Sequence, residues 1–458
     1  MLRREKSAFC ADMQKDIIVY NSFALFESDK KGALVASESK NCDCHDGVLR
    51  GGLGCTYYLR ADGTPFQLPK SMPDVEAYLY YTQKNDDGSY TDQFGCVTRA
   101  GTAFTYSEEE LTFKGLQGFW GRMKPINIID GDGVIRTALV GHDGVWFYTK
   151  TEGVTRTEIT SALPIVCQLK DRLFFALEPF TIGYSAPLEP KSVLESVDDS
   201  GQISLPREAG KIVGLLAFGD SVIIFYEFGI SKLTPAGSAR EFRVETVAYG
   251  GAFIFQDTMC ACGNKIFFLT RTGMCVYDGK SVREVCRNLP IFPKEENQKC
   301  KSAVSDGYYI LQFYSVENQK TDITVHGESE QGYISFTAKD LCNLRGHSIM
   351  HYNASVYALR ENCDLPSGEV RSFVVKDYNF GVDGMKTIKR IRFIGNGQIT
   401  VEISNGLRTK RAVLVIDKGF ADWRLPMRGE NFSLSICLET GAFVRSVEVE
   451  LVRLKGVK

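Results

Sequence analysis

The chain repeats a short pattern between residues 219–230, Gly-Asp-Ser-Val-Ile-Ile-Phe-Tyr-Glu-Phe-Gly-Ile, and residues 263–274, Gly-Asn-Lys-Ile-Phe-Phe-Leu-Thr-Arg-Thr-Gly-Met. Each copy has a tight turn, an apolar strand, a second turn with glycine and the start of another strand, and the spacing is 44 residues. Val97–Thr102 also aligns with Leu269–Met274 at a separation of 172 residues, or four steps of 43. A period of about 40 to 45 residues built from short strands is typical of a β-propeller, in which each repeat forms one sheet.

Turn signals support the same fold along most of the chain. The dipeptide Asp-Gly, which readily supplies the positive φ of tight hairpin turns, occurs nine times. Strand-like segments continue from about Gly51 to Glu369, a stretch of roughly 320 residues. Dividing the length of this stretch by the repeat spacing of 44 residues predicts a seven-bladed propeller, with six blades as the alternative. The N-terminal segment Ile17 to Leu25 is expected to pair with the last blade and close the ring.

The pattern changes after Ser367 and Gly368. In several later segments apolar residues alternate with others, for example at Phe432, Leu434, Ile436 and Leu438. Period-two alternation indicates strands with one buried face. The sequence therefore predicts an all-β protein, with a propeller over residues 1–369, including its N-terminal closing strand, and a small antiparallel β-sandwich over residues 370–458.

Composition is that of a globular protein, with 44% hydrophobic and 24% charged residues among 458. The longest apolar runs, Val213 to Phe218 and Val222 to Tyr226, are far below the roughly 18 residues of a membrane-spanning helix. Polar residues follow the basic N-terminus where a secretion signal would need an apolar core. Synthesis in a cytoplasm is therefore expected, with most of the 14 cysteines as reduced, buried thiols.

Charge is distributed unevenly. Residues 370–458 carry 16 Lys and Arg against 9 Asp and Glu, a net charge of +7, so the remainder carries −9. Such asymmetry suits docking between unlike surfaces, although a basic surface that only keeps a small domain soluble remains an alternative. Aromatic stacking partners for DNA are scarce in this region, so an acidic protein surface is the favoured partner. The predicted interface residues are Lys386, Lys389, Arg390, Arg392, Arg408, Lys410 and Arg411.

Two short segments contain metal-ligand residue types. The run Asn41-Cys42-Asp43-Cys44-His45 has a Cys-x-Cys spacing that is too tight for a common zinc knuckle, so core thiols are favoured. The run Asp130-Gly131-Asp132-Gly133 lacks the later oxygen ligands of a calcium loop, and two overlapping turns are favoured. No metal or other cofactor is therefore expected.

The sequence lacks the common catalytic motifs. The chain has no Gly-x-Ser-x-Gly elbow, no phosphate-binding loop with the spacing Gly-x-x-x-x-Gly-Lys-Ser, and no His-Glu-x-x-His helix. Glycosidase propellers need paired carboxylates facing the channel, and the sequence singles out no pair. A non-enzyme is predicted. A glycan-binding or glycan-cleaving propeller remains the alternative, and a WD-repeat interaction module is a third possibility, weakened by the absence of Trp-Asp at blade ends.

Several segments together resemble the β-propeller tail proteins of tailed bacteriophages, the family of tail hub and packaged-DNA stabilisation proteins. Asn41 to Gly52 is similar to the family's Asn…Asp-Gly-x-Leu-Arg-x-Arg-Pro-Gly motif, with Gly51-Gly52-Leu53-Gly54 where Arg-Pro-Gly is usual. Asp171-Arg172-Leu173-Phe174 followed by Tyr184 to Pro190 resembles its Asp-Arg-Leu-Phe…Tyr-Ser-Asp-Pro motif, with Ala186 replacing the usual Asp. Further matches follow in order up to Gly279, so the resemblance covers roughly Asn41 to Gly279.

The resemblance implies a structural role in the virion tail of a phage whose proteins are made in the bacterial host cytoplasm. Several copies in a ring would join a portal or adaptor to tail tube, needle or fibre components and would help to retain packaged DNA. Such a role needs neither a catalytic residue, nor a specific nucleic-acid sequence, nor a membrane. The oppositely charged parts of the chain would guide neighbours into register.

Overall fold

A computed structural model describes residues 13–25, 32–59, 63–66, 75–84, 87–88, 90–107, 112–193, 199–235, 241–247, 251–286, 300–314, 320–326, 330–334, 339–344, 347–352 and 355–454. In these ranges the chain forms 41 β-strands and no α-helix, which confirms the all-β prediction. It follows that the described part contains no helix that is long and apolar enough to cross a membrane.

The strands are numbered in chain order. The first twenty are β1 (Met13–Tyr20), β2 (Ser22–Ala24), β3 (Ala33–Val35), β4 (Glu38–Lys40), β5 (Cys42–His45), β6 (Val48–Gly51), β7 (Gly54–Tyr57), β8 (Val75–Lys84), β9 (Tyr90–Thr98), β10 (Thr102–Ser107), β11 (Thr112–Gly118), β12 (Met123–Ile129), β13 (Ile135–Gly141), β14 (Gly144–Thr149), β15 (Gly153–Arg156), β16 (Val166–Leu169), β17 (Arg172–Glu178), β18 (Thr181–Ala186), β19 (Glu189–Val193) and β20 (Gly201–Ser204). The remaining strands are β21 (Ile212–Phe218), β22 (Ser221–Tyr226), β23 (Ile230–Thr234), β24 (Arg243–Val247), β25 (Cys260–Cys262), β26 (Lys265–Leu269), β27 (Met274–Tyr277), β28 (Val282–Val285), β29 (Cys300–Ser305), β30 (Tyr308–Tyr314), β31 (Lys320–His326), β32 (Glu330–Ile334), β33 (Lys339–Leu344), β34 (His347–Tyr352), β35 (Ser355–Arg360), β36 (Ser372–Tyr378), β37 (Lys386–Ser404), β38 (Thr409–Ile416), β39 (Phe420–Gly429), β40 (Phe432–Leu438) and β41 (Phe443–Leu454).

The chain divides into two compact units. The propeller unit comprises residues 55–329 and 337–360, and the sandwich unit comprises residues 1–54, 330–336 and 361–458. The predicted boundary at residue 370 therefore lies close to the observed one at 361, whereas residues 1–54 belong with the C-terminal strands and not with the propeller.

Six separate antiparallel sheets and the strands β29–β31, which end a longer sheet, form the propeller unit. In chain order they are β8–β11, β12–β15, β16–β20, β21–β24, β25–β28, β29–β31 and β33–β35 completed by β7. The first strand of each sheet contacts the first strand of the next, and β33 contacts β8 in turn, so the sheets form a closed ring. The predicted β-propeller is therefore confirmed.

Strand β22 is buried on both faces along its whole length. Within β22, Val222, Ile224 and Tyr226 pack towards the preceding sheet. Ile223 and Phe225 of the same strand pack towards the following sheet. Full burial of one such side chain stabilises a fold by about 1.5–3 kcal/mol, so these uninterrupted runs hold adjacent blades together.

The ring is closed by β7 rather than by the predicted segment Ile17 to Leu25. β7 adds the outermost strand to the last sheet, next to β35. The amide of Tyr58 continues this pairing by donating to the carbonyl of Val356 at 2.8 Å, and the Tyr57 ring stacks on Tyr357 with centroids 4.7 Å apart. A strand from the N-terminal part of the chain thus does complete the last blade, but it is β7 and not the predicted segment Ile17 to Leu25.

Two antiparallel sheets in the sandwich unit share the 19-residue strand β37. Its first half pairs with β39 and β41, and its second half pairs with β38 and β40. The chain changes sheets at Gly395 to Gly397, where Gly397 has a φ of 92°. Phe432, Leu434, Ile436 and Leu438 are all buried, as the alternating pattern predicts.

The N-terminal strand β1 belongs to this sandwich. All eight of its residues pair with β41, from Met13 opposite Leu454 to Tyr20 opposite Val447. Tyr20 is 4% exposed and Phe23 is 3% exposed, and the Phe23 ring packs edge-on against Phe373 at 5.4 Å. Since β41 offers a full-length partner and a buried apolar face, the segment extends the sandwich.

Candidate functional site

The seven inner strands of the propeller surround a central cavity of about 410 Å³. Every inner strand or the turn before it contributes to the wall, including polar side chains at Lys124, Gln168, Asp257, Lys301 and Asn343. Volumes of about 300–1,000 Å³ are usual for small-molecule sites, so the channel is large enough to hold a ligand.

A network of ion pairs crosses this channel. Arg122, which directly precedes β12, binds the carboxylates of Glu76 on the first sheet and Asp257 on the fifth. Its Nε donates to Oε1 of Glu76 at 2.8 Å, and the side chain of Glu76 is only 5% exposed. One guanidinium thus connects three sheets through charge-assisted hydrogen bonds, the geometry that arginine provides and lysine does not.

Three further cations surround the same two carboxylates at longer distances. Nε of Arg99 lies 3.6 Å and Nζ of Lys301 lies 3.7 Å from Oε2 of Glu76. Nζ of Lys124 lies 3.6 Å from Oδ1 of Asp257. These separations exceed ordinary hydrogen-bond lengths. The three cations therefore attract the carboxylates by their charge and do not form hydrogen bonds with them. We call these six side chains the channel cluster.

The electrostatics of the channel cluster favour the ionised form of Asp257. Burial acts to raise the pKa of Asp257, but the positive charges of Arg122, Lys124 and Lys301 outweigh it, and the pKa lies below its ordinary value. The same carboxylates raise the pKa of Arg122 against the opposing effect of burial. A carboxyl held ionised in this way is a poor general acid, whereas a cation-rich pocket favours an anion.

Among the predicted interface residues, Lys386 is not on the surface. Its side chain is buried at 1% exposure, and Nζ donates to the carbonyls of Val382 at 2.6 Å, Gly384 at 3.1 Å and Glu430. Burial lowers its pKa below the usual value. The prediction was wrong for this residue because the ammonium holds a turn together by capping carbonyls.

Arg390 and Arg392 lie on the outer face of β37, but neighbouring strands neutralise them. Arg392 forms a bidentate pair with Asp422 at 2.8 and 3.0 Å, and its guanidinium lies 4.6 Å from the centre of the Phe420 ring. Arg390 contacts Glu450 at 3.3 Å and Asp422 at 3.6 Å. These arginines stabilise the sheet by cross-strand pairing, which reduces the charge that they offer to a partner.

The other predicted interface residues, Lys389, Arg408, Lys410 and Arg411, are exposed. Three of them lie at the hairpin that leads into β38, where Asn405 caps the turn by accepting from the amides of Leu407 at 3.0 Å and Arg408 at 2.7 Å. Exposed apolar side chains accompany them, with Leu407 at 91%, Val413 at 60% and Val415 at 61%. This basic and apolar set, Leu407, Arg408, Lys410, Arg411, Val413 and Val415, is called the β38 surface.

The observed units also change the charge estimate. Assigning residues 1–54, 330–336 and 361–369 to the sandwich unit gives it a net charge of +3 and leaves −5 for the propeller unit. The predicted opposition of sign is retained, but it is weaker than the +7 and −9 of the sequence division.

Neither candidate metal segment contributes to a cluster of three ligand side chains within the described residues. Cys42 and Cys44 are buried in β5, and burial raises the pKa of the Cys42 thiol. Asp130 accepts from the amides of Asp132 at 3.1 Å and Val134 at 2.8 Å and pairs with Arg136 at 2.7 Å, as a turn residue does.

The channel cluster was missed by sequence reasoning. Glu76, Arg122, Asp257 and Lys301 are separated by up to 225 residues, and no local motif connects them. A repeat-based alignment offers the missing signal, since each of them lies at or just before the start of an inner strand. Charged residues at equivalent places in several blades converge on one end of a channel.

Comparisons with known proteins assign the chain to no family. No family model matches the sequence, and no curated protein matches it. Similar solved structures include a virginiamycin B lyase from Staphylococcus aureus, with 9% identity, a TM-score of 0.43 and coverage of 65% of this chain and 97% of that one. The extracellular domain of a hybrid two-component system from B. thetaiotaomicron has 10% identity and a TM-score of 0.44 over 77% of this chain and 47% of that one. The WD40 β-propeller domain of Doa1 has 10% identity and a TM-score of 0.40 over 68% and 97%.

Proposed function

We propose that the chain is a structural virion protein of a tailed bacteriophage, a tail hub or head-to-tail connector component that docks on a portal or adaptor ring and helps to retain packaged DNA. The ordered motifs between Asn41 and Gly279 support the family. The β38 surface carries the docking role, because exposed apolar side chains beside cations on an edge strand are typical of a protein interface.

The propeller supports this role as a frame. Apolar clusters pack consecutive sheets against each other, and Arg122 connects the first, second and fifth sheets across the channel. Such a ring presents its loops at fixed angles without any chemical step. Its −5 charge and the +3 charge of the sandwich unit would orient neighbouring subunits during assembly.

Immunogold electron microscopy of the phage that encodes the chain tests the proposal. Label is expected at the junction of head and tail, and absence of the protein from purified virions would contradict the role. For docking, a Val413→Lys/Val415→Lys protein should fold but fail to join a portal complex in negative-stain images. The control Val244→Lys alters another exposed valine on an edge strand, 38% exposed in the propeller unit, and should assemble normally.

A glycan-binding propeller is the second candidate because Trp120 is 75% exposed. An exposed indole provides a stacking platform for a sugar ring. Binding on a glycan array that is lost in Trp120→Ala, together with absence from virions, would favour this function over the first.

A further inference from the structure

The channel cluster has more positive than negative charge. It combines four cations with two carboxylates, a formal net charge of +2, inside a ring of apolar sheets. Among the residues that the structure describes, Arg122 is the cation that forms hydrogen bonds with both carboxylates. Within the same residues, the two lysines that line the cavity contact the carboxylates at longer distances, so their donors are not all used on them. Lys301 donates to the carbonyl of Val75 at 3.4 Å, and Lys124 contacts Asp257 only at 3.6 Å.

The two lysine ammonium groups lie close to one region of the cavity. Nζ of Lys124 lies 3.6 Å from Oδ1 of Asp257 on the cavity wall, and the charge of Lys301 also acts on Asp257. Burial raises the pKa of the Cys167 thiol to about 12, and the charge of Lys124 partly offsets this effect from within the channel. Ser302 and Asn343 add neutral polar groups to the same wall.

We propose that this cavity binds a small tetrahedral oxyanion of the phosphate class, held mainly by Lys124 and Lys301. A dianion balances the excess charge of +2, and lysine is a common phosphate ligand because its ammonium acts as a compact point charge. The surrounding low-dielectric walls strengthen the attraction relative to a surface patch of the same charge. This inference is independent of the virion role, since it concerns a ligand site and not the β38 surface.

Isothermal titration calorimetry with inorganic phosphate, in a buffer free of other oxyanions, tests the site on the full chain. Wild-type protein should bind with a dissociation constant of about 1 mM or tighter. Lys124→Gln should weaken binding about tenfold or more, whereas Lys124→Arg should retain it. The control Lys191→Gln removes a lysine that pairs with Glu152 at 2.6 Å outside the cavity, and it should bind as wild type does.

A second variant and a melting measurement distinguish loss of the phosphate site from misfolding. Lys301→Gln should also weaken phosphate binding about tenfold, and each variant is first required to melt as a folded protein without phosphate. Titration with a nucleoside 5′-monophosphate then separates the free ion from a phosphate carried on a larger molecule; binding of either supports the site. No binding of either up to about 10 mM would overturn the proposal, as would equal phosphate affinity in Lys124→Gln and Lys191→Gln.

Discussion

Replacement of Arg122 by methionine is the most direct perturbation of the propeller channel. Methionine keeps much of the length of the side chain but removes the charge that both Glu76 and Asp257 contact. The side chains of these acids are only 5% and 19% exposed, so water cannot replace the lost partner fully. The substitution therefore leaves the buried carboxylate of Glu76 and the partly buried carboxylate of Asp257 without their arginine donor.

The expected loss of stability follows from this geometry. Removing one partner of a buried ion pair costs about 3–5 kcal/mol. Lys124 at 3.6 Å and Lys301 at 3.7 Å still offset part of the remaining negative charge. We therefore expect the lower end, about 3 kcal/mol at pH 7. For a domain of this size each kcal/mol lowers the melting temperature by about 2–4 °C, which predicts a decrease of at least 6 °C.

The pH dependence has a defined sign. Because Asp257 has a lowered pKa in the folded protein, its contribution to stability is complete above the unfolded pKa of about 3.9 and is lost as the pH falls through the folded pKa. Without Arg122, burial is opposed less strongly and the pKa of Asp257 rises. The variant then takes up a proton on mild acidification, and the difference between wild type and variant should be smaller at pH 4 than at pH 7.

Differential scanning calorimetry at both pH values measures this difference. Arg156→Met is the matched control, since Arg156 forms an exposed pair with Asp143 at 3.4 Å and its loss should cost less than about 1 kcal/mol. A triple variant with Glu76→Gln, Arg122→Met and Asp257→Asn should be more stable than Arg122→Met alone. Equal destabilisation in the Arg122 and Arg156 variants at pH 7, or a larger effect of Arg122→Met at pH 4, would refute the reasoning.

Three further perturbations have equally specific outcomes. Gly144→Ala should destabilise the protein by about 3 kcal/mol in urea unfolding, because the new Cβ would lie 2.0 Å from the carbonyl oxygen of Ile159 and the backbone φ is +92°. The control Gly153→Ala has a φ of +71° but open space around the new Cβ, so it should cost only about 1 kcal/mol. Lys386→Met should cost about 2–3 kcal/mol because buried carbonyls lose their donor, while Lys389→Met at an exposed site should stay within about 0.5 kcal/mol. Deletion of residues 1–20 should reduce hydrogen-exchange protection along β41, whereas unchanged protection there would contradict the observed pairing.

The propeller was predictable because its repeat lies in the most constrained strands. The aligned segments fall on β9, β22 and β26, which are the second strands of their sheets and are enclosed on both faces. Gly219 and Gly263 occupy equivalent turns, with φ values of 58° and 61°. Enclosed strands and positive-φ turns accept few residue types. The same residue types therefore recur in each blade, and the 44-residue period can be recognised in the sequence.

The pairing partners of strands were not predictable in the same way. The segment around Ile17 has the alternation of an edge strand, which fits the last blade and the sandwich equally well. The choice depends on β41, more than 420 residues away, and no local pattern encodes it. The same limit applies to Arg390 and Arg392, whose acidic partners lie on other strands and become neighbours only once the sheet order is known.

Apolar packing and the channel cluster control different properties of the ring. Clusters between consecutive sheets, and the cluster that joins the first sheet to the last through Phe94 and Val356, hold the blades together without fixing the direction of any polar group. Arg122 orients the carboxylates of Glu76 and Asp257 by pairing with both of them. The lysine ammonium groups then keep donors for an anion. Its loss should therefore keep the ring folded but allow Glu76 and Asp257 to pair with Lys301 and Lys124. Phosphate binding should then fall in Arg122→Met although both proposed ligands remain, and undiminished binding would show that the lysines do not hold the anion.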